Sequence, residues 1–140
     1  MKKIMTIAIA ILTTLILSVS LPATNANAKT LKSTPISMRG YYIGKGDVVK
    51  ITKHHLYLGA PQAGINGGTI KNIQQSGKIY RFHTRIAAYH QNVTVKIKRL
   101  AHHHLHFYNH ELRSSKVTKV SKRVYTNYLN HPLQGLPKGI

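Results

Sequence analysis

Four histidines crowd into five residues, His102-His103-His104-Leu105-His106, the densest group of ligand-type side chains in this 140-residue sequence. Alternate residues of a β-strand point to one side. On a strand, His102, His104 and His106 would therefore form one row with Tyr108 and His110. Imidazoles at i and i+2 can converge on zinc, copper or nickel. No cysteine is present to complete such a site, and Glu111 alternates to the opposite side. Two expectations follow for His102, His104 and His106. One is a transition-metal site; the other is a solvent-facing polar ladder that gains charge below about pH 6.

A second constellation is basic. Arg81, His83 and Arg85 alternate along one stretch, and Lys96 and Lys98 along the next. Arg99 joins them if a bulge follows Ile97. No acid interleaves. The whole chain has 21 Lys and Arg against two acids, Asp47 and Glu111, for a formal net charge of +19. Like charges on neighbouring strands destabilise a sheet, and faces built only for solubility mix both signs. Arg81, His83, Arg85, Lys96, Lys98 and Arg99 are therefore expected to bind a polyanion. Teichoic acids, sulfated or sialylated mucins, nucleic acid and anionic headgroups all fit the charge. A specific nucleic-acid module is disfavoured, because no base-stacking aromatics stand out in the sequence.

The shortage of acids argues against catalysis. Paired-carboxylate hydrolysis needs two acids in one cleft. A Ser-His-Asp triad would have to use Asp47, and no serine lies in a nucleophile-elbow context. Gly64, Gly67 and Gly68 lack the G-K-[ST] of a phosphate loop. We expect a non-enzymatic protein with no cofactor.

Residues 1–28 have the form of a secretory signal: Lys2 and Lys3, an apolar run over residues 4–17, a break at Pro22, and Ala26-Asn27-Ala28 as the cleavage site. Cleavage after Ala28 would leave 112 residues and, with Lys2 and Lys3 gone, lower the charge from +19 to +17. No later apolar run is long enough to span a bilayer. The mature chain is thus expected outside the cell, secreted or retained on the wall, and without disulfides to reinforce its core.

The chain that must position these residues has a period of two. Tyr80, Phe82, Thr84 and Ile86 alternate with Arg81, His83 and Arg85. Val93, Val95 and Ile97 alternate with Thr94, Lys96 and Lys98, and Leu56 and Leu58 with His55 and Tyr57. Glycine and asparagine separate the runs, as in the hairpin turns at residues 44–47 and 75–78. Residues 60–68 look like one longer loop. The expected fold is all-β: an antiparallel meander of seven to eight strands forming a small barrel or half-barrel, with a sandwich as the alternative. Residues 121–129 instead place Val124, Tyr125, Tyr128 and Leu129 on one helical face with Ser121 as N-cap. This short C-terminal helix would lie against the sheet or across a barrel mouth. The expected organisation is a flexible lead-in over residues 29–36, one β domain with its helix over residues 37–130, and a flexible Pro- and Gly-containing tail over residues 131–140.

Met38-Arg39-Gly40-Tyr41-Tyr42-Ile43-Gly44, Asp47-Val48-Val49-Lys50-Ile51 and Tyr80-Arg81-Phe82-His83 resemble small secreted basic proteins of lactobacilli, a group that brings no assigned activity. Gly40-Tyr41-Tyr42 is also similar to the G-x-W start of the calycins, with tyrosine in place of tryptophan. That resemblance implies a lipocalin-like barrel whose interior binds a small apolar ligand near residues such as Phe82, Val95 and Phe107. The alternative is a small barrel filled by its own side chains.

Overall fold

The computed structural model of the protein describes residues 27–108, 112–134 and 136–140. His110 and Glu111 lie outside the described residues. So does the expected export signal, apart from Asn27 and Ala28.

Nine strands and one α-helix build the described chain: β1 (Lys29–Leu31), β2 (Gly40–Gly44), β3 (Asp47–Ile51), β4 (His55–Ala60), β5 (Gly64–Ser76), β6 (Ile79–Ile86), β7 (Gln91–Arg99), β8 (His104–Phe107), β9 (Lys116–Val120) and α1 (Lys122–Asn130). From β2 to β9 each strand pairs antiparallel with the next, and β9 returns to β2. The result is a closed eight-stranded up-and-down barrel, with β1 attached outside the ring to β5. The expected meander is present, and it closes completely.

The period-two pattern sorts the two faces. Tyr42, Val49, Ile51, Leu56, Ile73, Tyr80, Phe82, Val95, Ile97, Leu105, Phe107 and Val117 point inward and form one buried cluster. Eight strands enclose a space that such side chains just fill. Phe82 and Phe107 both belong to this filled centre, 0% and 1% exposed. The centre is therefore packed, and any room for a ligand must be sought at the mouths.

Residues 29–38 cross one end of the barrel. β1 pairs with the far half of β5, Leu31 opposite Ile73 and Lys29 opposite Gln75. The Thr34 amide donates to the Lys53 carbonyl. A single 3-10 turn, Ile36–Met38, then drives Met38 into the core at 0% exposure. The segment expected to be a flexible lead-in is thus tied down, because burial of Met38 and a paired strand offset the entropy of ordering it. The Tyr42 hydroxyl, its pKa pushed up to about 12 by burial, keeps its proton and donates to the Met38 carbonyl. Arg39 clamps the Thr34 carbonyl with Nε and Nη2, at 3.0 and 2.8 Å. Gly40 follows at φ 142°, where a Cβ would lie 2.6 Å from the Lys119 side chain. The M-R-G stretch of the sequence is therefore a lock on the barrel end.

A second apolar cluster lies outside the ring. Ile43 of β2 and Val48 of β3 face outward and are covered by Tyr125 and Tyr128 of α1. Ser121 caps the helix by accepting from the Val124 amide. The helix thus lies on the sheet and not across a mouth. Its Tyr128 hydroxyl accepts from the Gly46 amide at 2.9 Å and donates to the Gly44 carbonyl at 3.2 Å, pinning the β2–β3 turn. The described residues of the tail form no helix or strand, but Leu136 and Ile140 pack against this cluster.

Asp47 opens β3 and is 2% exposed. Its carboxylate accepts from the backbone amides of Arg113 and Ser114, tying the β8–β9 connection to the β2–β3 turn. Asp47→Ala would leave two amides unpaired at a covered site, and hydrogen bonds to a charged group are each worth about 1.5–3 kcal/mol. Urea unfolding of this variant should show a stability loss of about 2–3 kcal/mol; a loss near zero would mean that the carboxylate does not hold this connection.

Candidate functional site

The outer face of β6 to β9 gathers the basic residues. Arg81 of β6 stands opposite Lys96 of β7. Lys98 of β7 stands opposite His106 of β8, which stands opposite Lys116 of β9. Directly opposed residues have Cβ atoms about 4.5–5.5 Å apart, so Lys98, His106 and Lys116 form a continuous row across three strands. Alternation does this: with Tyr80, Phe82, Val95, Ile97, Leu105 and Phe107 committed to the core, their neighbours must face out.

The rest of the row is tuned by local contacts. His83 faces Thr94, with Nδ1 3.0 Å from Oγ1, while its Nε2 is covered and has no partner among the described residues. Arg85 stands opposite Asn92 and is exposed. Lys96 Nζ lies 4.4 Å from the centre of the Tyr108 ring. His106 meets the same ring edge-on at 4.7 Å. A tyrosine flanked by a cation and an imidazole is thus built into the face.

Two expected members are elsewhere. The register of β7 and β8 is regular, so no bulge follows Ile97 and Arg99 keeps the parity of the inward residues. At the strand end it turns over the barrel mouth, where Nη1 donates to Ser37 Oγ at 3.0 Å. There Arg99 lines a polar cleft of about 390 Å³ with Lys78, His102 and His103. His102 is not on the strand: it and His103 adopt left-handed φ values of 55° and 61° in the turn before β8. The in-line ladder expected from His102 onward therefore begins only at His104. Among the described residues, no group of three His, Asp or Glu side chains is placed to hold a metal ion.

His104 bonds through Nδ1 to Thr118 Oγ1 at 2.8 Å. Its pKa lies below the usual imidazole value of 6.5, chiefly through desolvation, with Lys116, His102 and His103 adding repulsion.

The opposite mouth was not foreseen. Residues 64–68 are the start of β5, paired with β4, and only residues 61–63 form the turn. The expected long loop is thus mostly a glycine-rich strand. Gly68 puts no side chain into the barrel end, and Leu56, Leu58, Ile86, Val93 and Val95 line an open apolar cleft of about 380 Å³ there. The glycine run was the available signal: a strand without side chains cannot fill the space behind it.

No family model, curated protein or solved structure matches the chain. Among the described residues, no helix is long and apolar enough to cross a membrane.

His104 generates a testable pH effect. Its folded pKa is depressed, so the unfolded state takes up the proton first, and the stabilising contribution present above pH 6.5 is lost as pH falls through the folded value. The melting temperature of His104→Gln should therefore fall less than that of the wild type between pH 7 and pH 5. Parallel curves for the two proteins would show that His104 is not the group responsible.

Proposed function

We propose that this protein is an exported, non-enzymatic module that holds anionic surface polymers, such as teichoic acid or mucin-like glycans, on the outer face of β6 to β9. The observation that carries this reading is the register. It sets Arg81 against Lys96, and Lys98 against His106 and Lys116. A sheet face of this kind repels itself and is relieved by an external polyanion. The form of residues 1–28 supports a place outside the cell, where such polymers are met. Of the two acids in the sequence, Asp47 is engaged inside the fold.

The test is retention on immobilised heparin and on purified teichoic acid across a salt gradient. Phosphate- and sulfate-directed binding weakens steeply with salt. The double variant Lys96→Glu/Lys98→Glu should elute at markedly lower salt than the wild type. Its new carboxylates stand opposite Arg81 and His106, which favours the folded sheet. Unchanged elution would refute the reading.

A second reading is favoured by the apolar mouth. Closed eight-stranded meanders are a common architecture for holding one small ligand, and the cleft of about 380 Å³ is lined by Leu56, Leu58, Ile86, Val93 and Val95. In this reading the mouth, and not the filled centre around Phe82 and Phe107, takes a small apolar molecule. The neutral dye N-phenyl-1-naphthylamine should brighten on addition of the wild type and much less with Val93→Phe, which fills the cleft. Equal brightening by both proteins would exclude the mouth as the site.

A further inference from the structure

Across the barrel from the basic face, a row of aromatic and basic side chains lies on the outer surface. Tyr41 of β2, Lys50 of β3, Tyr57 of β4 and Gly67 of β5 stand in register, one opposite the next. Lys50 Nζ lies 5.8 Å from the centre of the Tyr41 ring and 5.2 Å from that of Tyr57. One ammonium is thus held between two aromatic rings, each within the range of a cation–π contact. On the other side of Tyr41 is the Tyr125 ring, 5.1 Å away and tilted by 52°. These rings, with Ile65, Lys122 and Thr126, line an open groove of about 450 Å³ between the β4–β5 hairpin and α1.

Core packing accounts for Tyr125 and Tyr41 but not for the rest of this arrangement. Tyr57 and Ile65 belong to neither buried cluster. Ile65 is 39% exposed. Tyr57 occupies the space over Gly67, where a Cβ would come within 2.7 Å of its ring. A polyanion bound by charge alone needs lysines but has no use for tyrosines, and the groove sets three tyrosine rings beside two lysines, where the basic face has Tyr108 alone.

The geometry points to a binding site for an acidic sugar residue in this groove, with Tyr57 and Ile65 receiving the C–H face of the ring and Lys50 and Lys122 its carboxylate or sulfate. Aromatic faces carry negative charge density and attract the polarised C–H groups of a pyranose. The groove charge is positive and complements an acid group. The hydroxyl of Thr126 and those of the tyrosines match the donors and acceptors of a sugar edge. Nucleobases also stack on aromatics. A nucleobase, however, carries no acid group on its own ring to meet Lys50 and Lys122, whereas an acidic pyranose does. The inference deepens the reading of the protein as a binder of anionic polymers, on which it rests, by choosing acidic glycans from among them.

The experiment compares three probes by calorimetry: a hyaluronan hexasaccharide, an inorganic polyphosphate of matched charge, and a thymidine oligonucleotide. Tyr57→Ala and Lys50→Gln should each weaken hyaluronan binding, Tyr57→Ala by about tenfold, and leave polyphosphate binding as in the wild type. Lys96→Glu/Lys98→Glu should weaken polyphosphate binding most, because charge alone holds that probe. If Tyr57→Ala does not fold, as judged by its amide spectrum, Lys50→Gln carries the test. Unchanged hyaluronan binding in the groove variants overturns the site, and so does equal weakening of hyaluronan and polyphosphate. Greater weakening of the oligonucleotide than of hyaluronan makes the groove a base-stacking site and sinks the sugar assignment. A wild type that binds polyphosphate but not hyaluronan defeats the groove and leaves the basic face standing. One that binds neither defeats both.

Discussion

Closure of β9 onto β2 is the constraint from which the rest of the molecule follows. Three opposed pairs make the seam: Tyr41 with Val120, Tyr42 with Lys119, and Ile43 with Thr118. Without it, the first and last strands of the ring would present bare backbone edges, and no face of the sheet would be inside. With it, every strand has a wet side and a dry side, and alternation decides the place of each residue. The short helix guards this seam. Tyr125 and Tyr128 cover Ile43, while Tyr41 and Val120 pack beside them. The hydroxyl of Tyr128 then fastens the neighbouring turn.

Closure also accounts for the distribution of charge. In a two-layer sandwich the basic residues could be divided between two outer faces. In a ring with a packed centre they can only face out, and among the described residues no acid stands beside them. Asp47 is turned toward the amides of Arg113 and Ser114 instead. The repulsion on β6 to β9 is tolerated because the inward residues of the same strands, Phe82, Ile97 and Phe107 among them, are fully packed. Cation–π contacts at Tyr108 and at the Tyr41–Tyr57 pair give some ammonium groups a partner that is not an acid.

Much of this was legible in the residues because period two is a strong local signal. Arg81, His83, Arg85, Lys96 and Lys98 were assigned to one face before any register was known, and the helix with its Ser121 cap stands out against the strands. Features set by long-range pairing were not legible. β1 is three residues with no alternation of its own, and only its seat beside Ile73 and Gln75 makes it a strand. The shift of register between Ile70 and Asn72, where β5 leaves β4 and meets β1, has no marker in the local sequence. Arg99 and His102 were misplaced because strand ends, and not periodicity, decide what happens beyond them. The groove of Tyr41, Lys50 and Tyr57 needs three strands and a helix to assemble, and no single segment contains it.

The two halves of β5 differ in kind. From Thr69 onward it is bonded to β6, with Lys29–Leu31 on part of its other edge, but residues 64–68 are paired only to β4. Their second edge has no ladder partner among the described residues, and they are rich in glycine, which loses the most backbone freedom on ordering. Local opening free energies follow such differences in pairing. The tip of the β4–β5 hairpin is thus held by fewer ladder bonds than the strand residues paired on both edges. The hairpin forms one wall of both the apolar mouth and the tyrosine groove, so a ligand that stiffens it from one side would be felt on the other.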